Sequence, residues 1–521
     1  MLHTFGPSSC LMLNPLANKH SDDLGQEKRH RPKSARIPAH RLWLFRIGAI
    51  LVGLLPLAAC EGVLRWIDLP RHPPATDPFV DLHSLKPLFE LNPETDILSI
   101  GAQRMNLFRP ASFARVKGQG GFRVFALGGS TTQGEPYSTE TAFPQWLELN
   151  LQAAMPDRRV EVINCGGLSY ASYRVLAILQ EVLEYSPDLI VIYTGQNEYL
   201  ERRSYEGLED YQLLHLTRYR LSQLRLVQLF RSWITGPAER EEIVVRQPTR
   251  MQTEVDALLD YQGGLEEYQR GDTWHDTVPL HFRWNLEQMV AGCQRAQVPL
   301  VLVAPVTNLL DCPPFKFAFA PHQSPQQRAQ FSEYWEQATQ NTGEAENQAS
   351  AGQALASALE IDPHHAGALF LLGRRQYASG DYAPAKRTLQ AARDADVCPL
   401  RAPTAISAVI REVAQNADLP LVDADRLFSD ASEHGIVGDQ WLVDHIHPSL
   451  EGHQLLAEAI AEKCVQEGLI QPGNLQWRED RAESYANQLR GLSEAYFHRG
   501  KQRLEGLLLW TQGRAKKTRS E

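Results

Sequence analysis

Residues 123–132 read RVFALGGSTT, an arginine and four apolar residues closed by two glycines and three hydroxyl side chains. A run this short, bounded by Gly-Gly, reads as a strand buried on both faces that ends in a tight turn. The pattern recurs at 160–164 (VEVIN), 189–193 (LIVIY), 300–304 (LVLVA) and 419–423 (LPLVD). Between these runs, apolar residues at helical spacing predict helices over 143–154, 173–185, 282–296, 406–415 and 450–467. Alternation of this kind predicts an α/β chain, a three-layer α/β/α fold around a five-stranded parallel sheet in flavodoxin-like order. In such sheets, function gathers where strands end.

Those ends carry a coherent set of groups. After the first strand comes Gly128-Gly129-Ser130-Thr131-Thr132; after the second, Asn164-Cys165-Gly166-Gly167; after the third, Thr194-Gly195-Gln196-Asn197-Glu198. Late in the chain comes Asp444-His445-Ile446-His447-Pro448. A hydroxyl, glycine amides, a carboxamide and a carboxylate–imidazole pair are the parts of acyl transfer. Ser130 would attack, His447 would take its proton, and Asp444 would orient the imidazole. The N–H groups of Ser130 and of Gly166 or Gly167, with the Asn197 amide, would hold the oxyanion.

The arrangement resembles the SGNH (GDSL-like) hydrolase superfamily. In that family a nucleophilic Ser follows a strand, a Gly and a G-x-N-[DE] Asn donate to the oxyanion, and a D-x-x-H motif completes the site. The four blocks occur here in order, at Ser130, Gly166/Gly167, Asn197 and Asp444/His447. The resemblance spans roughly 121–310 and 400–470 and implies an esterase needing neither metal nor cofactor. Two positions depart from the family pattern. Gly129 stands where the name motif has Asp, which implies a more permissive turn. Glu198 stands where Asp is the alternative. Both changes leave room for acyl transfer beside hydrolysis.

Structural readings stand beside these. Ser130 after Gly-Gly could be a helix cap, with Thr131 and Thr132 as equals. His445 and His453 rival His447, and His453 reads as a helix-face residue. Asn197 could bond its own turn. Cys165 has no base of its own and reads as a packed thiol. Seven cysteines show no metal-type spacing, and sequence selects no disulfide pair.

Outside the core, charge is uneven. The 521 residues carry a net −10. Residues 1–46 hold eight Lys/Arg against three acids, +5, so the remainder carries −15. An acidic body argues against nucleic acid as partner. Residues 1–41 read as a basic cytoplasmic tail. Residues 42–67 read as a transmembrane anchor or signal segment, with an uninterrupted apolar core over 47–60. Leu57-Ala58-Ala59-Cys60 offers a lipoprotein alternative. Either places the body outside the cytoplasmic membrane, periplasmic or extracellular.

Residues 68–120 read as a stalk or wrapping, 121–310 as the first part of the hydrolase domain, 400–470 as its second part, and 471–521 as C-terminal helices. An insertion over 199–277 holds an amphipathic stretch, 211–233, that could form a lid. A second, 325–399, carries tetratricopeptide-like (TPR) spacing at Leu372-Gly373, Gly380-Asp381-Tyr382, Ala385, Leu389 and Ala392. It offers either a docking groove for a protein partner or a structural subdomain. The segment Asn308–Phe315 after the fourth strand is placed to shape the pocket.

The sequence thus points to a membrane-tethered serine ester hydrolase or O-acyltransferase, acting on an O-acyl ester such as an O-acetylated polysaccharide. The alternative is a catalytically inactive scaffold in envelope polymer assembly or export.

Overall fold

The structure, a computed structural model, describes residues 52–53, 55–64, 77, 79–82, 85–205, 226, 249–340 and 345–512. Residues 55–64 are helical and belong to a small separate unit. No helix among the described residues is long and apolar enough to cross a membrane. Most of the expected anchor (42–67), the basic tail and the 211–233 stretch fall outside the described residues.

The strands, in chain order, are β1 (Val80–Asp81), β2 (Phe89–Asn92), β3 (Ile97–Ile100), β4 (Ser112–Ala114), β5 (Phe122–Gly128), β6 (Val160–Gly166), β7 (Leu189–Tyr193), β8 (Thr249–Arg250), β9 (Leu300–Ala304) and β10 (Leu421–Asp423). The central sheet has the order β10-β9-β7-β5-β6, all parallel. This is the flavodoxin-like order expected from the sequence. Every residue of β5, β7 and β9 is buried. Alternation along each strand divides them between two cores. Phe125, Leu127, Ile190, Ile192 and Leu302 face one side, and Val124, Ala126, Val191, Val301 and Val303 the other. Burying an aliphatic side chain of this size contributes roughly 1.5–3 kcal/mol, so the doubly covered sheet is the main source of stability.

The helices are α1 (Ser130–Gln133), α2 (Phe143–Ala154), α3 (Ser172–Val182), α4 (Thr273–Ala296), α5 (Pro325–Gln340), α6 (Ala345–Ile361), α7 (Ala366–Ala378), α8 (Tyr382–Asp394), α9 (Thr404–Asn416), α10 (Ala424–Ala431), α11 (Leu450–Gln466), α12 (Trp477–Arg490) and α13 (Glu494–Thr511). Helices α3, α4 and α9 cover one face of the sheet; α2, α11 and α12 cover the other.

The 68–120 segment is more structured than expected, and the 325–399 insertion is helical as its repeat spacing predicts. The supposed stalk contains the antiparallel sheet β2-β3-β4, whose Phe89, Leu98, Ile100 and Phe113, with Leu88 just before it, enter the main core. The 325–399 insertion is two helical hairpins, α5–α6 and α7–α8. Gly373 lets the second hairpin close, because a Cβ there would lie 2.7 Å from Leu389 Cγ.

Candidate active site

Ser130 is the first residue of α1, directly beyond β5, and His447 and Asp444 lie in the loop before α11. The fold brings the three together. His447 Nε2 is 2.8 Å from Ser130 Oγ, and His447 Nδ1 is 2.7 Å from Asp444 Oδ2. Asp444 Oδ1 accepts from the N–H groups of Ile446 (2.9 Å) and His447 (2.7 Å). The carboxylate is therefore held at both oxygens, and its free oxygen geometry is spent on the imidazole. All three residues are buried, Ser130 at 4% exposure.

The electrostatics match this geometry. Burial pushes the His447 imidazole down, but the Asp444 charge and hydrogen bond, with a contribution from the Glu135 carboxylate, hold it above the usual value for histidine. Burial pushes Asp444 up, but the two neighbouring imidazoles and its hydrogen bonds hold it well below the usual carboxylate range. The neighbouring rivals are excluded by their surroundings. His445 packs edge-on against Phe315, and burial pushes it down to about 4. His453 accepts from Phe143 N–H through Nδ1 at 3.2 Å, a structural role. Cys165 is buried with its thiol pushed well up.

The oxyanion assignment needs correction. Gly166 N–H donates to Asn164 Oδ1 (2.9 Å), and Gly167 N–H donates to Gly128 O (3.0 Å). Neither is free. Both glycines serve close packing instead: a Cβ on Gly166 would meet Gln133 Cα at 2.7 Å, and one on Gly167 would meet the Tyr170 ring at 2.7 Å. The remaining donors are the Ser130 N–H, which makes no bond to the described residues, and the Asn197 carboxamide. Asn197 Nδ2 gives one hydrogen to Tyr170 O at 3.1 Å and keeps a second.

The two departures from the family pattern acquire reasons. Gly129 has an ordinary extended backbone (φ −90°, ψ −154°), so turn freedom is not its purpose. A Cβ there would overlap Asn197 Nδ2. Glu198, fully buried, accepts from Ser172 N–H (2.8 Å) and Oγ (2.9 Å) and so holds the start of α3.

The sequence reading missed Glu135. This carboxylate pairs with Arg109 and lies 3.9 Å from Arg503 of α13, beside the triad. Its only sequence signal is its place in the turn after α1.

A model of the GDSL-like lipase/acylhydrolase family matches residues 126–349. The chain carries a GDSL-like lipase/acylhydrolase domain. The domain is that of a serine ester hydrolase. The match stops at 349, so only the fold carries the GDSL-like domain's Ser130 to Asp444 and His447. A tetratricopeptide-repeat model matches 344–397. Among solved structures, a lipase/acylhydrolase from Enterococcus faecalis is 15% identical, covers 66% of this chain and 96% of its own, and has a TM-score of 0.29. An acetylxylan esterase from Geobacillus stearothermophilus is 13% identical over 66% of this chain and 96% of its own, with a TM-score of 0.30. No curated protein matches.

Proposed function

We propose that Ser130, His447 and Asp444 form the nucleophile, base and orienting acid of this ester hydrolase. The observation that carries the reading is the unbroken chain Ser130 Oγ–His447–Asp444, with 2.8 and 2.7 Å links. Ser130 Oγ attacks the acyl carbonyl as its proton passes to His447 Nε2. The tetrahedral oxyanion takes the Ser130 N–H and the second Asn197 Nδ2 hydrogen. Collapse expels the alcohol, which leaves with the proton from His447. A water, deprotonated at the same nitrogen, then releases the acid and restores Ser130. An acceptor hydroxyl in place of water makes the same site an O-acyltransferase.

A nucleophile exposed by 4% suits a small acyl group, and the reading favours an O-acetyl ester on a carbohydrate. The +5 flank before the apolar 47–60 stretch favours a body held outside the cytoplasmic membrane. A fluorophosphonate probe should label the full chain and not Ser130→Ala. Equal labelling of both would sink the nucleophile assignment. A topology reporter fused after residue 65 should be active outside the cytoplasm only.

A further inference from the structure

The segment after β9, which the sequence singled out without a chemistry, reaches the triad from behind. We propose that Asn308 is a positioning residue that fixes the Asp444–His447 loop, braced by the α7–α8 hairpin; this rests on the triad assignment above.

Asn308 is fully buried and uses both ends of its carboxamide and its backbone. Its N–H donates to His445 O at 3.0 Å. Its Nδ2 donates to Asp439 Oδ1 at 2.7 Å and to Asp444 O at 3.3 Å. Its Oδ1 accepts from Asp311 N–H at 2.9 Å, and its carbonyl accepts from the buried Arg401 at 2.6 Å. It thus holds two successive carbonyls, those of Asp444 and His445. The orientation of the Asp444 carboxylate follows from the same stretch of backbone, because its Oδ1 is bound to the next two N–H groups. A small rotation at 444–445 would swing Oδ2 off His447 Nδ1. The position demands an amide. An acid would set a carboxylate against Asp439 and a carbonyl, and an apolar residue would leave buried groups unpaired.

The brace continues outward. Asp311 Oδ2 accepts from Asp439 N–H at 2.9 Å, and its Oδ1 pairs with Arg374 of α7 at 2.6 Å. Arg374 also donates to Leu310 O at 2.8 Å. The N–H groups of Leu309 and Leu310 both donate to Val437 O. Leu309 and Ile436 pack on Ala385 and Leu389 of α8. This face of the repeat-like hairpin is therefore filled by segments 308–311 and 436–439 of the same chain.

The test is steady-state hydrolysis of p-nitrophenyl acetate across pH by the full chain and its variants. Asn308→Ala should lower kcat by about 10- to 100-fold, the cost of a misplacement on the order of 1 Å, and leave KM within about threefold. The acid limb of kcat should also move to lower pH. The charged or titratable groups facing His447 are Asp444, Glu135, His445 and His453, and the substitution loosens the first, which raises the imidazole pKa. Asp439→Ala, at an exposed position, should fold normally and give a smaller loss of kcat with the same direction of shift. An unmoved acid limb in folded Asn308→Ala overturns the proposal, whatever kcat does; if that variant does not fold, an unmoved limb in Asp439→Ala overturns it. Ser130→Ala, run in parallel, separates the two claims. Activity surviving there defeats the triad itself, whereas activity lost there and kept in Asn308→Ala defeats the positioning role alone.

Discussion

Writing a side chain at position 129 should damage this enzyme, even though the family motif carries Asp there. The smallest such change is Gly129→Ala. Its Cβ would fall more than 1 Å inside the roughly 3.5 Å at which such atoms rest against Asn197 Nδ2. The backbone at 129 is strain-free for alanine, so the collision alone decides the outcome. Asn197 has little room to retreat, being buried and tethered to Tyr170 O. The carboxamide must therefore shift by about 1 Å or break that tether. A shift of that size costs on the order of 100-fold, and full loss of an oxyanion donor costs about 100- to 1000-fold, or ~3–4 kcal/mol of transition-state stabilisation. Both act on kcat more than on KM. The assay is kcat and KM for p-nitrophenyl acetate in wild type, Gly129→Ala, Asn197→Ala and the double variant, with thermal unfolding to confirm the fold. If the two substitutions act through one group, the double variant should be little worse than Asn197→Ala. Gly129→Ala at wild-type kcat, or simple multiplication of the two losses, would refute the reasoning.

Further outcomes follow from other contacts. Asp444→Asn can keep its backbone bonds through Oδ1 and turn an NH2 toward His447 Nδ1, forcing the proton onto Nε2, where it cannot accept from Ser130; kcat should fall by about 10⁴, and a loss under tenfold would contradict the triad. In wild type, kcat should rise with pH through a midpoint above the usual histidine value, read from a pH–rate profile. Glu201→Ala removes a carboxylate 1% exposed, 2.7 Å from the fully buried Arg174; urea denaturation should show a loss of about 3–5 kcal/mol, and under about 1 would be inconsistent. Burial pushes His365 and His445 down to about 4 and His453 to about 3, so the unfolded chain binds these protons first. Stability should be full above pH ~6.5 and fall by about 1.4 kcal/mol per histidine per unit of pH toward 4. His447, with its raised value, acts in the opposite sense, and calorimetry showing a flat Tm from pH 7 to 5 would count against this balance. Glu198→Asp should lower kcat more than KM, and an unchanged kcat would show that α3 does not depend on the reach of that side chain.

The sheet was legible because its central strands β7 and β9 are runs rich in Val, Ile and Leu buried on both faces, so there neither propensity nor burial competes with the other. Strand β7 and helix α2 have the boundaries the pattern predicts. Helix α4 begins nine residues early because Asp272 caps it by accepting from Trp274 N–H, and it continues through Pro279. The sheet β2-β3-β4 was missed because its strands are three or four residues long and their partners are set by packing on the core. At the site, Ser130 and Asn197 stand out by residue type just beyond strand ends, and Asp444 and His447 by their D-x-x-H spacing in the loop before α11. The engagement of the Gly166 and Gly167 N–H groups does not, since it depends on where Asn164 Oδ1 and Gly128 O come to rest. Asn308 is silent for the same reason. Its partners, Asp439, Asp444 and His445, lie more than a hundred residues away in sequence.

Gly129 and Glu198 look like independent relaxations of a family pattern, but the structure joins them. Glu198 follows Asn197 directly, and its carboxylate reaches the first N–H of α3; an Asp would fall short by about one C–C bond, ~1.5 Å. Holding α3 at that distance fixes Tyr170, two residues before the helix, whose carbonyl takes one Asn197 hydrogen. The carboxamide is thereby drawn against residue 129 until only a hydrogen fits there. A longer arm at 198 and no arm at 129 are two ends of one constraint on the Asn197 carboxamide. On this argument the missing Asp is not a degraded motif. Restoring it singly should break the site, because any side chain at 129 meets Asn197 Nδ2.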